Sequence, residues 1–398
     1  MNAFNKTSDI QSLGKYIQIH LAILLVCTSL SATSGPREQA KAIHDRLVGV
    51  PPDAIILDSM AEKIVQGDSL SAAYEAMNNK LFYTVTLKNF VTPWTNETES
   101  VFEDLNDFSA TVIGMIRDEI PFNQILSADM LYIGAADQVS IPYSHVDNLH
   151  YQELEEKQID LSDPSKFFAI SQSTILDSQI TAEDASGVLT TRTFGEAFLS
   201  GGTNRAAVRI MAVNHLCRDM EDLLDITLTP DRIRQDVSRS PGGDSSIYLN
   251  SCIGCHSGMD PLTQAFAYYN FDSELNRVVH TPGQVQEKYL INANTFPQGY
   301  VTSDNRWDNY WRKGKNSVLG WRGAVSGGFG LKSLGQEITN SRRFSECQVE
   351  KVFENICFRE PVSILDRQEV QRISSVFERG NYNMKQVFAE VAGFCTAQ

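Results

Sequence analysis

SCIGCHSGMDPL, residues 251–262, is the stretch whose reading decides this chain. Two cysteines spaced C-x-x-C and followed at once by histidine form the attachment signature of a c-type haem. On a helical turn Cys252, Cys255 and His256 fall at i, i+3 and i+4, so the three side chains leave one face. Two thiols so placed can add across the porphyrin vinyl groups while the imidazole approaches the iron as proximal ligand. Chance is a weak competitor: seven Cys and seven His in 398 residues give roughly 0.002 copies of this pattern. Three other readings use the same residues. A thioredoxin-like redox pair wants a strand before the motif and a helix after it. A zinc site wants a second ligand pair at similar spacing, which is missing. A disulfide within one helical turn would constrain almost nothing.

Outward from the motif, the chain has the composition of an ordinary globular protein, with 42% hydrophobic and 21% charged residues. At 398 residues it is long enough for two domains. A net charge of −15 argues against a nucleic-acid partner, because phosphate binding needs a basic face. At the N-terminus, Lys6 and Lys15 precede an apolar run from Ile17 to Val26, and small residues follow to Ser34. This reads as a signal peptide over residues 1–34, cleaved after Ala32-Thr33-Ser34. The run is too short to span a bilayer, and no other stretch approaches that length. Cys27 follows Val26 where a lipobox needs a small residue, so no lipid anchor is expected. Export suits the motif, and the expected location is periplasmic.

Outside the signal and the motif, Cys217, Cys347, Cys357 and Cys395 remain for an oxidising compartment. Three pairings are possible. If Phe344 to Cys357 is one helix, Cys347 and Cys357 stand about 15 Å apart and cannot bridge each other. Each then pairs with Cys217 or Cys395, or all four stay reduced and buried.

The expected fold is mainly α: a helical domain over 35–240, then a cytochrome c-like, helix-and-loop haem domain over 241–398. Short helices are predicted over 36–92, with Gly49 as a stop, Asp68 as a cap and Leu81 to Val91 ambiguous. Asn106 to Arg117, Thr191 to Leu199 and Asn204 to Leu224 follow as helices. Between them, 134–186 reads as irregular; its His145 and His150 are taken as surface residues, with metal ligation as the alternative. The boundary falls at Ser240-Pro241-Gly242-Gly243-Asp244. Beyond it aromatics number 20 in 158 residues, against 17 in the first 240, as an aromatic-lined haem slot would need. Asp260-Pro261 is expected to end or bend the motif helix, with a carbonyl there accepting the Nδ1 proton of His256. Residues 281–340, including the loop GAVSGGFG, are expected to wrap the haem. Three helices close the chain: Phe344 to Phe358, Asp366 to Arg379 and Met384 to Phe394.

These residues resemble a group of exported bacterial cytochrome c-like proteins best known from large planctomycete chains. That group carries C-x-x-C-H, then Asp-Pro and Asn-Phe-Asp, matched by Cys252 to His256, Asp260-Pro261 and Asn270-Phe271-Asp272. Its tail is similar to Phe344, Cys347 and CFREP at 357–361, and its preceding helical part to PFNQILSADMLYI and GVLTTRTF. The resemblance covers roughly residues 120–398. Members often carry a Gly and a Glu where this chain has Thr263, Gln264 and Tyr268-Tyr269, and the large members' extra domains are missing. The resemblance implies an exported haem protein and little about a reaction.

The iron's second axial ligand separates the functions. Met259 follows His256 too closely to reach the opposite face, which leaves His280, Met384, His215 or no ligand. The expected role is a carrier holding one covalent haem c, passing electrons between redox partner proteins, with no catalytic residue. A peroxidase- or oxygenase-type enzyme with an open iron site is the alternative. A non-haem binding or scaffold protein is the third reading.

Overall fold

The computed structural model describes residues 35–175 and 179–397. The expected signal peptide and Cys27 lie outside the described residues. The chain is mainly α, with 54% helix against 7% strand. Helix α1 (Pro36–Val48) stops at Gly49, whose φ of 81° is the left-handed conformation that glycine adopts without steric cost. Asp53 caps α2 (Ala54–Val65) by accepting from the Ile55 and Ile56 amides, and Asp68 caps α3 (Ser69–Ala76) through the Ser71 amide. The ambiguous segment after them is a π-helical stretch, Phe82–Leu87, that runs into a last α turn at Lys88–Val91. Within it Phe82, Tyr83 and Leu87 are buried in the core.

Helix α4 (Asp107–Arg117) is buried along its whole length and opens on a capping box from Asn106 and Ser109. The region expected to be irregular contains more order than its composition suggests. Strand β1 (Leu131–Gly134) pairs antiparallel with β2 (Phe167–Ile170), and α5 (Leu149–Glu156) lies between them in sequence. Helices α6 (Arg192–Phe198) and α7 (Arg205–Leu216) follow. The second is shorter than predicted, because Cys217 takes a left-handed backbone (φ 46°) that turns the chain toward Cys347.

The motif lies on α8 (Ile253–Thr263), which packs against α7. Two small antiparallel pairs come next: β3 (Tyr269–Asp272) with β4 (Arg277–His280), and β5 (Arg306–Asp308) with β6 (Gly327–Phe329). The glycine-rich loop therefore ends in a strand, and α9 (Gly330–Thr339) follows it. The tail helices α10 (Arg342–Cys357), α11 (Ile364–Arg379) and α12 (Met384–Thr396) match their predicted spans within two residues.

One apolar core runs from Ala40 to Ala392. Helices α1 and α3 pack on α12, and α7 packs on both α8 and α10. Residues 35–240 and 241–398 therefore share a core, and Ser240 to Asp244 is a surface turn joining them rather than a gap between cores. Two disulfides tie the tail down, Cys217–Cys347 and Cys357–Cys395. As the helix geometry requires, Cys347 and Cys357 each pair elsewhere. No helix among the described residues is long and apolar enough to cross a membrane.

Candidate haem-attachment site

The approach to the motif is helical but not regular. Asp244 accepts from the Ser246 amide to start the helix, and the chain then widens into a π-helical turn, Tyr248–Cys252. Tyr248 is buried with Ile233 and Val237 in a small satellite cluster, and Cys252 and Ile253 pack against it. Cys252 thus sits at the junction of the π turn and α8, while Cys255 and His256 lie in the first turn of α8. Single π turns inside helices concentrate at functional sites. The flat sequence pattern carries no sign of one here.

Gly254 and Gly258 form a stripe one helical turn apart along α8, where neighbours approach the backbone closely. A Cβ on Gly258 would fall 2.1 Å from Nε1 of Trp311, and one on Gly254 would fall 2.7 Å from Cγ of Leu224. These contacts press one side of α8 into the protein and leave Cys252, Cys255 and His256 half-buried at the surface. Both motif cysteines are unpaired, whereas the other four described cysteines are in disulfides. Apolar Ile247 and Leu249, just upstream, and Ile226, in contact range of Gly254, are exposed beside them.

The imidazole of His256 is held by a buried carboxylate. Its Nδ1 lies 3.0 Å from Oδ1 of Asp260, one turn further along α8. That corrects the expected partner: the Asp260 carbonyl is already taken by the Thr263 hydroxyl and the Gln264 side-chain amide, at 2.8 and 3.0 Å. Helix α8 runs through Pro261 to Thr263, so it does not end at Asp260-Pro261. Asp260 is fully buried. Arg205 grips it with two hydrogen bonds (2.7 and 3.0 Å), and the Arg234 amide donates to it at 3.2 Å. Arg205 also donates to both oxygens of Asp236, at 2.7 and 2.8 Å. Burial alone would push the Asp260 carboxyl up, but Arg205 and His256 together hold it well below the usual carboxylate range. Arg205, Arg234 and Asp236 went unseen in the sequence because they stand 24 to 55 residues from Asp260. The i, i+4 spacing of His256 and Asp260 was a legible signal for the carboxylate contact.

The competing chemistries fit this arrangement less well. A helical turn, not a strand, precedes the cysteines. Among the described residues no three His, Cys, Asp or Glu side chains converge on a point that could hold a metal ion. Haem attachment needs no such convergence, because the thioethers form at the porphyrin rim and only the imidazole meets the iron. The residues fit the group: two free thiols, an imidazole whose Nδ1 is occupied so that Nε2 is the nitrogen that would ligate, and exposed apolar side chains alongside.

The other candidates are held elsewhere. His280, in β4, stacks on Tyr269 at 4.4 Å and has Asp184 and Gln179 at its Nδ1. Met384 opens α12 and is buried in the core. His215 is enclosed in α7 between Trp94 and Phe344. None of these contacts is with the motif. His150 is not a surface residue: it is buried in α5, its Nδ1 facing the Ile141 carbonyl at 2.7 Å and its Nε2 accepting from the Gly134 amide at 2.9 Å. Half-buried His145 lies 3.5 Å from Nη1 of Arg277.

No protein-family model, curated protein or solved structure matches this chain.

Proposed function

We propose that the protein is an exported c-type cytochrome carrying one haem, and that it transfers electrons between redox partner proteins outside the cytoplasm. Cys252 and Cys255 supply the two thioether sulfurs, and His256 supplies the proximal ligand. The observation that carries the reading is the pairing of two free, half-buried thiols with an imidazole fixed through Nδ1. When bound, the haem supplies a one-electron ferric–ferrous couple. The chain's part is to anchor the porphyrin edge, hold the imidazole in one tautomer and present Nε2. The two disulfides support an oxidising compartment, where covalent haem attachment in bacteria also takes place.

The test is an absorption spectrum of protein exported together with haem-maturation machinery. A Soret band with haem that resists extraction into acidified organic solvent is the expected result. No Soret band, or haem that extracts, sinks the assignment.

One observation favours a second reading, a haem enzyme with an open iron site: His280, Met384 and His215 are all committed to neighbours outside the motif. A high-spin ferric spectrum that shifts with cyanide selects the enzyme. A low-spin spectrum indifferent to cyanide selects the carrier.

A further inference from the structure

We infer that Asp260 is a positioning residue that sets the reduction potential of the haem downward through His256, and that Arg205 opposes it. The inference rests on the proposed function and extends it to the control of the same site.

With Nε2 committed to iron, Nδ1 of His256 must carry the proton and donate it, and its acceptor at 3.0 Å is Oδ1 of Asp260. A carboxylate acceptor draws that proton more strongly than a neutral carbonyl would. The imidazole gains negative character, donates more electron density and stabilises the ferric state over the ferrous. The effect depends on the carboxylate being charged and dry, and Asp260 is completely buried.

Its charge is not free, however. Arg205 donates to the same Oδ1 at 2.7 Å and to Oδ2 at 3.0 Å, so it competes with His256 for the electron density of that oxygen. Asp236 restrains Arg205 from the other side at 2.7 and 2.8 Å, dividing one guanidinium between two carboxylates. Arg234, with its guanidinium 4.2 Å over the Tyr289 ring, fixes the remaining lone pair of Asp260 through its backbone amide. The cluster works as a balance on one proton: Asp260 pulls it, Arg205 weakens the pull, and Asp236 limits Arg205.

Such a balance predicts shifts of opposite sign, which general structural damage would not produce. The test is spectroelectrochemical titration of the full haem-loaded chain and of Asp260→Asn, Arg205→Gln and Arg205→Lys, with haem content measured on each. Asp260→Asn should favour the ferrous form at least tenfold, an upward shift of about 59 mV for one electron. Arg205→Gln should shift the midpoint downward, and Arg205→Lys, which keeps the charge, should stay closer to the parent. Asp236→Asn concentrates Arg205 on Asp260 and should also raise the midpoint, so the test survives if Asp260→Asn fails to fold. Midpoints that do not move, or that all move the same way while haem remains attached, overturn this inference alone. A parent protein without covalent haem overturns the proposed function and this inference together.

Discussion

Removing the two disulfides should bring this fold close to its stability limit. Cys217–Cys347 closes a separation of 130 residues and Cys357–Cys395 one of 38, and the two loops do not overlap. In the chain-entropy account the larger loop contributes about 4.9 kcal/mol and the smaller about 3.9 kcal/mol. Because the loops are sequential, the contributions add in that account to about 9 kcal/mol, within the whole stability of a typical domain. Packing acts in the same direction: Cys347 is fully buried and Cys357 nearly so, and the bridges fasten α10 to the end of α7 and to α12. The experiment is urea unfolding, followed by tryptophan fluorescence, of the parent and of the paired variants Cys217→Ala/Cys347→Ala and Cys357→Ala/Cys395→Ala. Each pair should lose several kcal/mol, the first more than the second, and the chain made in a reducing cytosol should be largely unfolded. Losses below about 1 kcal/mol for both pairs would refute the reasoning, and with it the structural argument for an oxidising compartment.

Three further outcomes are expected. Cys252→Ala should leave a single thioether and shift the reduced α-band in a pyridine haemochrome spectrum; an unchanged band counts against covalent attachment at that sulfur. Gly258→Ala should destabilise the protein by roughly 2–3 kcal/mol in thermal unfolding, because its Cβ would meet the buried Trp311 ring at 2.1 Å; no loss, or the small gain usual for Gly-to-Ala in a helix, would show that Trp311 can move. Burial, with Lys351 nearby, lowers the His215 pKa to about 3. The unfolded chain then takes up the proton first, so this contribution is complete above about pH 6.5 and falls away toward pH 3. The parent should be about 2 kcal/mol less stable at pH 5 than at pH 8 from this residue, and His215→Phe should flatten that part of the slope.

Much of the helical framework is legible in the sequence because local rules decide it. Gly49 stops α1, Asp68 caps α3, and the spacing of Phe344, Val352 and Phe353 or of Val370, Ile373 and Phe377 repeats at helical period. What was missed depends on partners distant in the chain. β1 and β2 are four residues each, too short to show alternation, and they exist because they pair with each other. His150 sits in a polar stretch and looks exposed, yet two backbone groups reach its ring. The π turn at Tyr248–Cys252 leaves no mark in composition. The site divides in the same way. The thiols, the imidazole and its partner Asp260 were visible in twelve consecutive residues, while the charges that hold Asp260 come from α7 and from the segment after it.

Fold stability accounts poorly for those charges. Asp260, Asp236, Arg234 and Arg205 are all largely withdrawn from water. Burying each costs several kcal/mol, and even good ion pairing often does no better than apolar side chains of the same volume. Much of α8 already packs by apolar means, with Leu262 in the core and Gly254 and Gly258 admitting Leu224 and Trp311. An apolar residue at 260 would extend that packing, but it could not occupy Nδ1 of His256. Without an acceptor there, the ring could rotate or exchange tautomers, and Nε2 would no longer be fixed as the nitrogen available to the proposed haem. Asp260 in turn needs Arg205 and the Arg234 amide, since an unpaired buried carboxylate would take up a proton and become a different partner for Nδ1. The charges are thus best understood in order of dependence: His256 requires Asp260, Asp260 requires Arg205, and Arg205 is held by Asp236. Each step removes one freedom from the imidazole that faces the proposed haem.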